Sequence, residues 1–292
     1  MGERLSKMAF WMGCAIWAYR EWVGDLYPPG SRSADFLRLY GQRFTTVEGN
    51  TTFYSIPDEA TVARWVRDTP DTFRFCLKLP RTITHNGALT PHLSEAIAFI
   101  QHMQPLGDRL GPVFAQLPPS YGPDQLEDLR HFLAGWCYDK ARLAVEVRHP
   151  QWFVEPDTHR LNDLLHNWGV GRVLLDTRPI YDCPDDPQLA SERRKPRVPL
   201  HPILTTDFTL IRYISHPDWA LNTAFIQTWA TQLHTWLDQG KEIFWFVHCP
   251  VEARSPANAR QIQQQLEQQG VPVPPLRWNA IAPATTQLSL FP

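Results

Sequence analysis

The sequence predicts an α/β protein built as a single (β/α)8 TIM-type barrel. Three observations carry that expectation. Eight short apolar runs, rich in Val, Ile, Phe and Trp, alternate along the chain with segments of helical periodicity. The runs are apolar on both faces, as parallel strands must be when helices cover one side and a packed interior the other. Polar residues gather where the runs end, and in such barrels the carboxyl ends of the strands form the functional pole. Strand followed by helix, repeated to eight strands, favours a closed barrel over an open sheet, and 292 residues suffice for one such unit.

The runs, in order, are Phe10–Trp17, Thr45–Tyr54, Phe73–Leu79, Val113–Leu117, Leu143–Arg148, Val173–Asp176, Thr209–Ile214 and Glu242–His248. Between them, Ser33–Phe44 places Phe36, Leu37 and Tyr40 on one helical face, and Pro57-Asp58-Glu59 opens a helix carrying Val62, Trp65 and Val66. Leu93–Met103, Pro123–Trp136, Asp157–Trp168, Trp219–Leu237 and Pro256–Gln269 continue the pattern. Proline at a first turn forfeits only an orphan N–H, and acids just after it meet the positive end of the helix dipole. One connection differs. Arg178–Thr206 carries six prolines and the run Arg193-Arg194-Lys195, so a long irregular loop is expected after the sixth strand. The barrel domain is expected over residues 8–270, followed by an extended Pro-rich tail over 271–292.

Composition narrows the function classes. A net charge of −2 gives no general basic field for nucleic acid or anionic lipid, so any DNA contact must come from a local patch. Five scattered cysteines with no CxxC pair suggest neither a disulfide framework nor a cysteine zinc site, and fit reduced thiols in a cytoplasm. The apolar stretch Met8–Tyr19 loosely mimics a signal peptide, but it lacks a small-residue cleavage site and is too short to span a bilayer. It is read as the first strand, and no membrane partner is expected.

The strand ends supply the candidate site: Trp17 and Tyr19; Glu48 and Asn50; Lys78 and, beyond it, His85; Gln116; Glu146, Arg148, His149 and Trp152; Asp176; Arg212 and His216; His248. Strand alternation puts Glu48 with Asn50, and Glu146 with Arg148, on shared faces. Buried charges demand partners, so the plain structural alternative is a ring of ion pairs such as Glu48–Lys78 or Glu146–Arg148. In the functional reading Glu48 or Glu146 is a general base. Lys78, Arg148 and Arg212 then clamp a phosphate, beside Trp17, Trp22 and Trp152 for stacking a base or sugar. His85, His149, His216 and His248 with Glu48, Glu146 and Asp176 also have the chemistry of a divalent-metal site, although no HxH or HExxH spacing occurs. The cofactor therefore stays open. So does the choice between an enzyme on phosphate-containing or nucleic-acid substrates (hydrolase- or nuclease-like), a metal-dependent sugar isomerase or endonuclease, and a non-catalytic binding module.

Several motifs in order resemble the domain of unknown function 72 (YecE-like) family. They are Gly13-Cys14-Ala15-Ile16-Trp17-Ala18-Tyr19 with Trp22, Tyr27 and Pro28; Thr46-Val47-Glu48-Gly49-Asn50-Thr51-Thr52-Phe53-Tyr54; and Trp65 with Thr69-Pro70. Phe73–Lys78 with Thr84-His85, Gln116-Leu117-Pro118-Pro119, and Val145-Glu146-Val147-Arg148-His149 with Trp152 follow. The resemblance runs from about Gly13 to Asp176 and implies a TIM barrel without an established activity. The last third departs from the family pattern. Arg212 precedes Tyr213-Ile214-Ser215-His216 where the family commonly has Arg-Leu-His-Gly, and His248-Cys249-Pro250 stands where paired Asn is usual.

Near the end of the chain, Gln287-Leu288-Ser289-Leu290-Phe291 resembles the pentapeptide by which bacterial DNA polymerases and repair proteins bind the β sliding clamp. Gln287, Leu288, Leu290 and Phe291 would make the contacts, with Pro272, Pro274, Pro275 and Pro283 holding the motif off the barrel as a semi-rigid spacer. The clamp is thus the expected partner, and DNA replication or repair the expected setting.

Overall fold

The structure is a computed structural model and describes residues 9–189 and 194–278. Its strands are β1 (Phe10–Cys14), β2 (Thr46–Gly49), β3 (Arg74–Leu77), β4 (Val113–Gln116), β5 (Leu143–Glu146), β6 (Gly171–Arg172), β7 (Leu174–Asp176), β8 (Phe208–Ile214) and β9 (Glu242–His248). Its helices are α1 (Phe36–Gly41), α2 (Thr51–Tyr54), α3 (Glu59–Asp68), α4 (Arg81–Thr84), α5 (Leu93–Met103), α6 (Leu126–Ala134), α7 (Asp157–Asn167), α8 (Arg178–Tyr181), α9 (Thr223–Asp238) and α10 (Ser255–Gln268). The class is α/β, as expected, and each strand pairing in the sheets is parallel. Where the sequence predicts one closed sheet, three are observed: β1-β9-β8-β7, β2-β3 and β4-β5-β6. Between them the ladders thin to single bonds. Thr45 N–H donates to Met12 O (3.1 Å), Gly111 N–H to Phe75 O and Leu79 N–H to Phe114 O (3.0 Å each), and Val173 N–H to Val145 O (2.9 Å).

Strand alternation divides the core in two. Trp11, Cys76, Phe114, Ala144, Val173, Phe208, Leu210, Phe244 and Phe246 form one buried cluster, with the Trp11 and Phe244 rings stacked 4.6 Å apart. Their neighbours in sequence, such as Phe10, Met12, Val113, Ile211 and Trp245, point the other way into a larger cluster with the helices. On α9, for example, Ile226, Trp229, Leu233 and Trp236 bury one stripe, and each large side chain so enclosed contributes about 1.5–3 kcal/mol relative to exposure. Gly13 lets β1 approach β2 closely, because a Cβ there would lie 1.8 Å from Thr46 O.

Some elements differ from expectation for identifiable reasons. The run Thr45–Tyr54 leaves the extended state at Asn50, whose φ of −67° and ψ of −20° start α2. The Thr52 hydroxyl there lies 2.8 Å from Gly49 O and 2.6 Å from Lys78 O, tying the turn to the end of β3. The sixth run, Val173–Asp176, forms β7 from Leu174 onward, and a separate two-residue strand, β6, precedes it. Two four-residue helices, α4 and α8, are too short to leave a period in sequence, and α8 takes the first turn of the segment read as wholly irregular. The segment after α10 is irregular but is not held away from the body. Val271 and Val273 are buried, Gln263 Nε2 donates to Pro274 O at 2.9 Å, and the Trp278 ring meets Phe44 at 5.2 Å. Apolar side chains between the prolines find partners there, so the packed body extends to Trp278. Among the described residues no helix is long and apolar enough to cross a membrane.

Candidate functional site

A charged cluster sits at the carboxyl ends of the strands, above the Phe114–Phe246 core. By alternation Arg212 continues the inward face of Phe208 and Leu210 on β8, and its guanidinium lies 5.8 Å from the Phe114 ring. It is the hub. Nε and Nη2 donate to Glu48 Oε2 (2.8 Å) and Oε1 (2.9 Å), and Nη1 donates to Glu146 Oε2 at 2.5 Å. Asn50 Nδ2 adds a bond to Glu48 Oε1 (2.6 Å), and His248 Nε2 lies 2.9 Å from Glu48 Oε2. Arg148 donates from Nε to Glu146 Oε1 and from Nη2 to Gln116 Oε1, both at 2.6 Å, and Lys78 Nζ donates to the same Gln116 oxygen at 2.8 Å. The structure therefore brings together Glu48, Asn50, Lys78, Gln116, Glu146, Arg148, Arg212 and His248. Glu146 pairs with Arg148 as expected, whereas Glu48 pairs with Arg212 and not with Lys78.

Electrostatics follow from these contacts. Burial alone would raise both carboxyls, but Arg212 with Arg148 holds Glu146 at about 2, and Arg212 with His248 holds Glu48 well below the usual range. Both are carboxylates at neutral pH. Burial lowers His248 to about 4, so its Nε2–H is the donor to Glu48. Lys78 differs from its neighbours: Nζ is enclosed, 3.7 Å from the centre of the Phe53 ring, with no ion-pair partner among the described residues. Burial and then Arg212 bring it down to about 7. Beside it His85, its Nδ1 2.8 Å from Thr84 Oγ1 and its ring 5.0 Å from Phe53, is lowered to about 4 by burial and by Lys78.

Other residues singled out in the sequence serve the framework. Trp152 is fully buried with Nε1–H donating to Tyr121 O at 2.8 Å, and Trp22 is fully buried with Nε1–H donating to Glu252 O at 3.1 Å, so neither offers a stacking face. Trp17 packs edge-on against Trp65 at 5.4 Å, its carbonyl accepting from the Tyr27 hydroxyl, and Tyr19 lies against Trp22 at 5.6 Å. His149 caps a short 3-10 turn by accepting from Gln151 N–H at 3.2 Å. Asp176 binds Arg178 (2.8 and 2.9 Å) and Trp229 Nε1 (2.7 Å), apart from the Arg212 hub. The histidines and carboxylates weighed as metal ligands do not form one group within ligand reach of one another. Among the described residues a group with metal-ligand reach is Cys183, Asp185 and His216, of which only His216 was foreseen. Its geometry does not suit a metal. His216 Nδ1 accepts from Asp218 N–H (2.9 Å), which leaves the ring proton on Nε2, 3.0 Å from Asp185 Oδ1. A metal on Nε2 would move that proton to Nδ1, against another N–H. Gln287, Leu288, Leu290 and Phe291 lie outside the described residues.

Two charged groups escaped the sequence reading. Lys195, in the segment expected to be a long irregular loop, is half-buried; its carbonyl accepts from Tyr181 and its N–H donates to Gln188 Oε1 at 2.7 Å. Burial and the nearby Arg212 lower its ammonium, which also feels Glu48 and Glu252. Glu252 follows β9 in a 3-10 turn. Its Oε1 is enclosed without a hydrogen-bond partner among the described residues, and burial raises the carboxyl to about 7. Neither residue ends a strand, and the position of each in a loop after a strand was the only signal. A cavity of about 570 Å³ opens beside Phe53 and His85, rimmed by Tyr54, Ile56, Arg81 and Asn86.

Comparison with known proteins finds relatives along most of the chain. The family model "Protein of unknown function DUF72" matches residues 11–282. The UPF0759 protein YecE of Escherichia coli K12 is 36% identical over 260 residues, covering 88% of this chain and 92% of that protein. The UPF0759 protein YunF of Bacillus subtilis is 24% identical, covering 91% and 95%. Among solved structures, a DUF72 family protein of Thermotoga maritima superposes with a TM-score of 0.67 at 22% identity, over 89% of this chain and all (100%) of that one. One from Enterococcus faecalis gives 0.65 at 16%, over 88% and 95%.

Proposed function

The chain belongs to the DUF72 family, and from that premise we propose that it binds a small anion, a phosphate-containing compound, at the carboxyl ends of its strands. One observation carries the reading: the cluster holds more cations than its carboxylates can pair. Glu48 and Glu146 are taken up by Arg212 and Arg148, while Lys78 has only the neutral Gln116 and a phenyl ring. Lys195 adds a further positive charge from the loop. A ligand anion supplies the missing countercharge, with the Arg148 guanidinium able to grip it through hydrogen bonds. Glu48 and Glu146, candidate bases on sequence grounds, serve here to hold the cations in place, since donors occupy both oxygens of each. Glu252, raised towards neutrality, takes the acid–base role if a reaction follows binding.

The same reading takes the three parallel sheets as arcs of one (β/α)8 barrel. Arg212 on β8 reaching both Glu48 on β2 and Glu146 on β5, and a core cluster drawn from β1, β3, β4, β5, β8 and β9, support it. The phosphate is that of a nucleotide, sugar phosphate or nucleic-acid end, in line with the DNA-repair setting proposed from the clamp-like tail. That docking rests on sequence alone, and titrating a Gln287–Phe291 peptide against a bacterial clamp tests it. For the site, thermal unfolding of the full chain is followed with inorganic phosphate, nucleotides, sugar phosphates and DNA oligomers, since a ligand raises the melting temperature by mass action. A rise with phosphate compounds that is lost in Arg148→Gln is expected. A flat panel would refute anion binding.

A further inference from the structure

We propose that Lys78 is a nucleophilic amine that condenses with the carbonyl carbon of an anionic aldehyde or ketone to form an imine at Nζ. The identity of the substrate's charged arm rests on the anion-binding reading above; the amine assignment rests on the surroundings of Nζ itself. Lys78 is 6% exposed at the end of β3, and among the described residues no carboxylate oxygen lies within 4.0 Å of its ammonium. Its neighbours Arg148 and Arg212 are each fixed by a carboxylate, so they stay charged and repel a third cation. Gln116 Oε1 accepts from Lys78 at 2.8 Å and from Arg148 at 2.6 Å, orienting the amine without neutralising it. An amine enclosed among cations loses its proton easily, and with a pKa of about 7 Lys78 exchanges near neutral pH between the ammonium, which attracts an anion, and the free amine, whose lone pair attacks. The Phe53 ring at 3.7 Å favours the ammonium and offsets part of this, but a ring face is a weaker partner than a carboxylate.

The chemistry balances without an oxidant or reductant. The Nζ lone pair forms the C–N bond while the C=O π pair moves to oxygen. Both amine hydrogens leave on that oxygen as water when the C–O bond breaks, and the C=N bond takes its place. Arg148 lies beside the reacting nitrogen, where an anionic group on the substrate would be held. The cavity of about 570 Å³ past Phe53 and His85 takes the rest of the molecule, with exposed Tyr54 and Ile56 at its edge.

The chain has five lysines (Lys7, Lys78, Lys140, Lys195 and Lys241), so labelling resolves residue by residue. Full-length protein is treated near neutral pH with pyridoxal 5′-phosphate as the anionic aldehyde, or with pyridoxal as its uncharged-arm counterpart. Cyanoborohydride reduces the imine, and peptide mass spectrometry locates it. With the phosphate probe Lys78 is expected to label on the order of a hundredfold faster than exposed Lys140, because only an amine that has given up its proton attacks the carbonyl. Lys78→Arg abolishes that adduct. Gln116→Glu, which hands the amine a carboxylate, shifts the pH–rate midpoint upward, an effect a purely structural lysine would not produce. Labelling confined to other lysines overturns the proposal, and so does an unmoved midpoint in Gln116→Glu. If phosphate stabilises the fold but Lys78 stays unmodified, the imine fails and the anion site stands. If Lys78 labels equally fast with both aldehydes and phosphate does not compete, the amine stands and the anion site fails.

Discussion

Arg212 is the residue on which the strand-end cluster depends most. It satisfies two enclosed carboxylates at once, and burial would otherwise favour their neutral forms. Arg212→Met leaves Glu146 with Arg148 alone and Glu48 with no cationic guanidinium, only Asn50 and the His248 ring, and is expected to cost about 3–5 kcal/mol, read as a lower denaturation midpoint in urea; an unchanged midpoint would mean that the cluster is solvated. Glu252 gives the complementary pH signature. Its carboxyl is raised to about 7 in the folded chain from an ordinary 4.5, so its contribution to stability is full below pH 4.5 and is lost as pH rises through 7. His85 and His248, lowered to about 4, act with the opposite sign, their contribution being lost as pH falls through 4. The difference in stability between wild type and Glu252→Gln isolates Glu252, and it should shift in favour of the variant between pH 4.5 and 8. A difference independent of pH would contradict the raised carboxyl. At this scale the sequence was partly legible. Period two on one strand placed Arg148 with Glu146, but Glu48 and Arg212 are 164 positions apart, and only the folded chain reveals that they meet. Glu252 lies beyond a strand end in a 3-10 turn, and its place after β9 is its one mark in the sequence.

Elements were more legible than contacts. Leu93–Met103 and Glu242–His248 match α5 and β9 to the residue, because long apolar periods and dense β-branched and aromatic runs have few alternatives. The helix expected to open at Pro57-Asp58-Glu59 begins at Glu59, with the Asp58 side chain capping it by accepting from Thr61 N–H at 2.8 Å. What failed was short or tertiary. α2, α4 and α8 are single turns fixed by neighbours, and the Pro-rich segment after α10 packs because Val271, Val273 and Trp278 reach the body, which proline content does not reveal. The junction of β1 and β2 tests the packing of elements. A Cβ on Gly13 would overlap Thr46 O at 1.8 Å and sit 2.8 Å from the Tyr40 hydroxyl. Gly13→Ala should therefore cost at least the 1–3 kcal/mol typical of overpacking, about the upper end, since backbone must move. A melting temperature equal to wild type would show that β1 and β2 can separate freely.

For the whole molecule, the unusual feature is a concentration of positive charge in a chain whose net charge is −2. The charges are not spread over a surface as for duplex DNA; they face one another at the strand ends, where the framework has spent two carboxylates on fixing them. The α/β class and the gathering of charged side chains at the strand ends could both be read from alternating strands and helices and from the polar strand ends. Which cation is left without a carboxylate could not, because that depends on distances between strands far apart in sequence. Direct location of a bound anion decides the matter. Crystals of the full chain soaked in tungstate, a heavy tetrahedral mimic of phosphate, should show anomalous density within hydrogen-bond reach of Lys78 Nζ and the Arg148 guanidinium. Tungstate found only on exposed arginines, with the strand-end cluster empty, would contradict an anion site.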